Sequence, residues 1–234
     1  MERQFGGGIM LLIDAGHGGF DPGAVGTKLK EKDFTLKLAK YLEAYLKSKG
    51  APCALIRSND DRWPLEQRVD VANKSSATHF ISLHINAAAN QTANGVEVYA
   101  SSKGGEKETF ANVMQRALVS STGFTDRGVK FSPFYVLRNT KQVAILVELG
   151  FITNASDQEK LISEAFLKSA AETMGEAYLK HIGFKEKQKE RWEVIIEGMD
   201  PRWHGEIIKI KSEGGLRRYI SDLIEKVYDS GTKN

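Results

Sequence analysis

Apolar positions along the chain follow two periods, and the period switches at breaks marked by glycine and proline. Residues 9–14 are a short apolar run ending in a glycine-rich turn, which reads as a buried strand. Over residues 32–49, Phe34, Leu38, Tyr41, Leu42, Tyr45 and Leu46 share one helical stripe, closed by Gly50. Residues 51–57 read as a second strand, and Pro64 opens a second helix carrying Leu65, Val69 and Ala72. Strands follow at 79–85 and 95–100. Residues 106–120 then form a helix with Phe110, Val113, Met114, Ala117 and Leu118 inward. A short strand at 134–137 and an apolar one at 143–149 precede a long helix over residues 161–181.

Strand and helix alternate, which predicts an α/β fold: a twisted, mostly parallel or mixed sheet of about six strands with helices on both faces. The main domain occupies residues 1–184. Beyond it the charged run KEKQKER leads into two β-like stretches, 192–197 and 206–211, and a helical stripe over 216–227. Residues 185–234 thus read as a small C-terminal ββα unit. A unit of that size has too little core to stand alone, so it packs on the main domain or on a second copy of itself.

Composition narrows the function classes. A net charge of +3 from 33 basic and 30 acidic residues is too balanced for a nucleic-acid partner, and no basic stretch is interleaved with aromatics. No segment has the length and apolarity of a membrane span. The start, MERQFGGGIMLLIDAG, lacks the pattern of a signal peptide. Cys53 is the only cysteine, which leaves no internal disulfide and no cysteine-based metal site; it reads as a small buried hydrophobe.

Three residues carry candidate chemistry. His17 in LLIDAGHGG, Glu31 in LKEKDF and His84 in FISLHINAA offer two nitrogens and a carboxylate, a three-ligand set suited to zinc with the fourth position open to water. Glu148 in ILVELGF is a carboxylate in an apolar strand, expensive to bury unless paired or used, and it suits the acid/base partner of an activated water. Ligand sites in open α/β sheets form at the carboxyl ends of strands, where His17, His84 and Glu148 all fall. In the third strand Phe80, Ser82, His84 and Asn86 share one face, so His79 points away and is excluded from the set. Asn86 is placed to orient substrate. Arg57, Arg68 and Asn73 read as loop braces, and His181 as a helix C-terminal cation or core residue. DAGHGG lacks the Gly-Lys-Ser/Thr ending of a phosphate loop.

These residues lie in a series of segments: IDAGHGGFDPGAVG (13–26), EKDFTLKLAKYLEAYLKSKG (31–50), RSNDD (57–61), LEQRVDVAN (65–73), FISLHINA (80–87), GVEVY (95–99), RGVK (127–130), FYVLRNT (134–140) and ILVELGFITN (145–154). In that order they resemble the zinc-dependent N-acetylmuramoyl-L-alanine amidases, the family often called amidase type 3. The resemblance covers residues 11–184. It implies that His17, Glu31 and His84 bind Zn2+ and that Glu148 is the catalytic carboxylate. It implies hydrolysis of the amide joining N-acetylmuramic acid to L-alanine in peptidoglycan, as in autolysins and endolysins. Action on the bacterial cell wall would then require release by lysis, by a phage holin, or through a trimmed export signal. Two departures stand out. Val143 stands where a proline is often found. Only SSKGGE separates the GVEVY strand from the next helix, where some relatives insert a regulatory helix, so the resemblance implies an uncovered site. Two other functions stay open at this point: a zinc peptidase acting within the stem peptide, and a wall-binding protein without catalysis. The C-terminal unit reads as a wall-binding module or a homodimerisation module.

Overall fold

The structure is a computed structural model, and it describes residues 10–185. The expectations for residues 186–234, the ββα unit and its wall-binding or dimerising role, lie outside the described residues. Six strands form one mixed sheet: β1 (Leu11–Ala15), β2 (Cys53–Leu55), β3 (His79–Asn86), β4 (Val96–Ala100), β5 (Asp126–Phe131) and β6 (Val143–Phe151). Their order is β2-β1-β3-β6-β4-β5. β2, β1, β3 and β6 run parallel. β4 pairs antiparallel with β6 and parallel with β5, so β4 and β5 reverse the sheet at one side.

Strand alternation sorts the core into two layers. On one face Ile13, Ile81, Leu83, Val98, Ile145 and Val147 pack against α1 (Glu31–Ser48), α3 (Gly105–Thr122) and α6 (Glu164–His181). On the other face Leu12, Phe80, Ala144 and Leu146 meet the shorter helices α2 (Leu65–Lys74) and α4 (Tyr135–Asn139). The unequal helix lengths position the site. The long helices seal their face, while the short pair leaves the carboxyl ends of β1, β3 and β6 open on the other.

The structure corrects three expectations. Residues 134–137, read as a strand, belong to helix α4. An apolar run of four fits either period; here Leu137 N–H and Arg138 N–H both donate to Phe134 O, at 2.9 and 3.0 Å, and close a helical turn. β5 escaped detection because DRGVKF is a half-exposed edge strand with no apolar alternation to betray it. The last helix starts at Glu164 rather than 161, and a separate short helix that the sequence pattern did not mark precedes it. Asn154 caps α5 (Ala155–Leu161) by accepting from Asp157 N–H, and Ser163 caps α6 by accepting from Phe166 N–H.

Candidate metal centre

The centre begins with the turn after β1. Gly16 N–H donates to Leu83 O at 3.0 Å, continuing the β1–β3 ladder. His17 then turns with φ of 61°, the one non-glycine residue at positive φ among the described residues. That left-handed conformation is uncommon for a residue with a side chain, and it is held by its surroundings. Two buried arginines do the holding. Arg57 donates to Ala15 O at 2.9 Å, Gly16 O at 2.9 Å and Lys32 O at 2.8 Å. Arg68 donates to Ala15 O at 2.7 Å and His17 O at 2.6 Å, and pairs with buried Asp14. Asn73 bridges α2 to the chain after α4, through Asn139 O and Lys141 N–H. All three brace loops.

The turn, the start of α1 and the end of β3 bring His17, Glu31 and His84 together. His17 Nε2 lies 3.2 Å from Glu31 Oε2, and His84 Nδ1 lies 2.9 Å from Glu31 Oε1. One donor atom from each residue falls within 4.8 Å of the others. Glu31 is the first residue of α1 and is buried; its oxygens also accept Ala24 N–H at 2.8 Å and Ile85 N–H at 3.0 Å. His17 Nδ1–H donates to Asp21 Oδ2 at 2.9 Å, which turns Nε2 inward. Two glycines leave room for the rings. A Cβ on Gly16 would stand 2.4 Å from the His84 ring, and one on Gly23 would stand 2.5 Å from His17 and 2.6 Å from Glu31.

Electrostatics at the centre favour added positive charge. Burial opposes the charged form of His17, but hydrogen bonds and charges from Glu31 and Asp21 outweigh it and raise its pKa to about 9. Burial likewise opposes protonation of His84, and Glu31 and Glu148 overcome it. Burial would raise Glu31, yet the hydrogen bonds from His17 and His84 hold it far below the usual carboxylate range.

Glu148 sits in β6 between two register partners, His84 on β3 and Glu97 on β4. Its Oε2 is buried without a hydrogen-bond partner among the described residues. Burial first, then the charges of Glu31 and Glu97, push its pKa up to about 7 against the pull of His84 and His17. Glu97 is the opposite case. It accepts from Asn86 Nδ2 and Tyr99 OH, each at 2.7 Å, from Arg127 Nε at 2.7 Å, and from Lys130.

His17, Glu31, His84 and Glu148 line one open cleft of ≈ 940 Å³, with Arg62 and Phe134 among the rim residues. The donor set fits zinc. Two imidazoles and one carboxylate are ligand types that zinc takes, and one donor atom of each lies within 4.8 Å of the others. An orphaned carboxylate oxygen in the same cleft matches the need for a proton acceptor.

The four residues singled out from sequence therefore meet in one cleft. Asn86 also lines this cleft, past a register shift between His84 and Asn86, with its Nδ2 donating to Glu97 at 2.7 Å. Sequence reading missed Asp21 and Glu97. A carboxylate four residues after His17 was a readable signal for Asp21. Glu97 had none, because its partners come from β3, β4 and β5.

A family model described as N-acetylmuramoyl-L-alanine amidase matches residues 11–180. YqiI of Bacillus subtilis (strain 168) is 43% identical over 169 residues, which is 71% of this chain and 82% of that protein. The N-acetylmuramoyl-L-alanine amidase LytC of the same strain is 38% identical over 71% of this chain, but the match spans only 34% of LytC. Among solved structures, an N-acetylmuramoyl-L-alanine amidase from Clostridium difficile 630 superposes with a TM-score of 0.73 at 33% identity, covering 77% of this chain and all of that one. The catalytic domain of CwlV from Bacillus (Paenibacillus) polymyxa gives 0.72 at 36% identity, over 76% and 99%.

Proposed function

The chain belongs to the N-acetylmuramoyl-L-alanine amidase family, and on that premise we propose that it is a zinc-dependent peptidoglycan hydrolase. In this reading His17, Glu31 and His84 hold Zn2+, and Glu148 is the catalytic carboxylate. The bond cut joins the lactyl group of N-acetylmuramic acid to L-alanine. The observation that carries the reading is the meeting of a His-Glu-His donor set with the unpartnered Glu148 in one cleft.

Zinc bound there supplies Lewis-acid polarisation of the scissile carbonyl and makes water acidic enough to lose a proton near neutrality. The chain does the rest. Glu148, with a pKa near 7, accepts a proton from the attacking water and returns it to the leaving alanine amine. Asp21 fixes the His17 ring, and the Ala24 and Ile85 amides fix the Glu31 carboxylate. Burial and the Glu31 charge hold the Glu148 pKa up, and Glu97 adds its negative charge beside it. The short SSKGGE link after β4 and the short helices α2 and α4 leave the cleft open to a polymer. Exposed Phe20, Leu65 and Phe134 line that cleft and offer apolar surface to the lactyl-peptide junction.

Mass spectrometry of digested peptidoglycan tests the reading. The expected products are glycan with intact muramic acid and stem peptides with a new free amine on L-alanine. A new amine elsewhere in the stem would make the protein a zinc peptidase instead. Walls bound but left uncut would make it a binding protein.

A further inference from the structure

A second His-Glu-His group lies away from the cleft, on the face sealed by the long helices. His79 opens β3, Glu106 lies in the first turn of α3, and His181 is the last residue of α6. His79 Nε2 is 3.4 Å from Glu106 Oε1, and His181 Nε2 is 3.7 Å from the same oxygen. One donor atom of each residue falls within 4.8 Å of the others, as at the first centre.

Both nitrogens are buried, and neither has a hydrogen-bond partner among the described residues. The separations, 3.4 and 3.7 Å, exceed good hydrogen-bond lengths and leave the three donor atoms close enough to share one cation. His79 Nδ1 lies 2.9 Å from Thr78 Oγ1. With the Thr78 hydroxyl donating to Met10 O, Nδ1–H donates to Thr78 Oγ1, the tautomer that leaves the lone pair of His79 on Nε2. In that tautomer the lone pair faces a Glu106 oxygen 3.4 Å away, an arrangement that a bound cation relieves.

The surroundings favour the cation. The His79 ring makes edge contacts with Phe110, Tyr178 and His181, and the His181 ring stacks on Phe110 at 4.8 Å between centroids. Among these apolar rings burial lowers the pKa of both histidines despite the Glu106 charge, so both are neutral near pH 7 and free to coordinate. The Tyr178 hydroxyl, beside them, is buried without a partner as well. Glu106 has a side chain 59% exposed, which opens a path from solvent. Two imidazoles and a carboxylate suit zinc rather than the hard cations, which take oxygen ligands.

We propose that His79, Glu106 and His181 form a second zinc site, with three protein donors and one side toward solvent at Glu106, which ties the start of β3 to the beginning of α3 and the end of α6. Nothing in it touches the cleft, so its failure would leave the amidase reading intact.

Metal analysis of the full chain after equilibration with zinc tests it. The intact protein should hold about two zinc ions per chain. Glu106→Gln combined with His181→Asn should bring this to about one while hydrolysis of wall fragments persists. His17→Ala combined with His84→Ala should also leave about one, and zinc should raise the melting temperature of that variant by a few degrees. Adding Glu106→Gln to it should abolish both effects. Glu106 is at the surface, so this single change separates loss of metal from loss of fold. An intact protein that saturates at about one zinc, or a stoichiometry unmoved by Glu106→Gln, would overturn the proposal.

Discussion

Glu148 and Glu97 face each other across the antiparallel β6–β4 ladder, and only one of the two is neutralised. Glu97 has Arg127, Lys130, Tyr99 and Asn86 around it, whereas one oxygen of Glu148 has nothing. Burial raises the Glu148 pKa most, and the charges of Glu31 and Glu97 add to it, so the unpaired carboxylate stands near neutral pKa beside the paired one. This division of roles sets the first prediction. Glu148→Gln should retain zinc at the cleft, since the side chain is not proposed as a ligand, but turnover should fall by ~10²-fold or more. Near-normal turnover would assign the proton transfer to another group.

Stability offers an independent view of the same residue. The Glu148 pKa is raised from an ordinary 4.5 to about 7, so the folded state disfavours its charge. The unfolded chain therefore binds fewer protons between those values, and stability is lost as pH rises through that window. Metal-free Glu148→Gln protein, neutral throughout, should melt a few degrees above the metal-free parent at pH 8 and level with it near pH 4. Equal melting temperatures at pH 8 would refute the buried-charge account.

Glu97→Gln removes the charge that helps to raise Glu148. The acid limb of the rate profile should move to lower pH, with turnover at pH 8 largely kept. Folding stability should drop by about 1–3 kcal/mol, because Arg127 and Lys130 lose a charged acceptor. An unmoved acid limb would mean that Glu97 serves the fold alone.

Asp21 is half-exposed and holds His17 through Nδ1. Asp21→Asn should leave the fold unchanged and weaken zinc retention at the cleft by ~10–100-fold, the usual cost of losing a residue that orients a ligand. His84→Ala, which removes a proposed ligand outright, should lose both that zinc and the activity. Competition with a chelator of known affinity measures both variants.

A wall-targeting role for residues 185–234 predicts a split outcome on deletion. The family match ends at residue 180, before that segment begins. The shortened protein should therefore fold, hold zinc and cut soluble fragments, while sedimentation with intact walls weakens. Unchanged sedimentation would remove the targeting role.

The sequence by itself determined much of this protein. Period-2 and period-3.6 patterns mark elements long enough to repeat them, so β1, β3, β6, α1 and α3 were legible within a few residues. His17, Glu31, His84 and Glu148 stood out because each puts a polar group where an apolar run or a turn does not need one. Asp21 was within local reach. What tertiary structure alone decided is whatever depends on partners distant in the chain. Arg57 and Arg68 read only as braces until the fold showed that the carbonyls they hold are those of the His17 turn. The Glu97 cluster draws on three strands, and the reversal of β4 that brings Glu97 beside Glu148 leaves no trace in local pattern. His79, Glu106 and His181 come from three elements, and alternation could show only that His79 turns away from the cleft, not what it would meet on the other side. Local pattern records which face a side chain takes; packing alone records its neighbours.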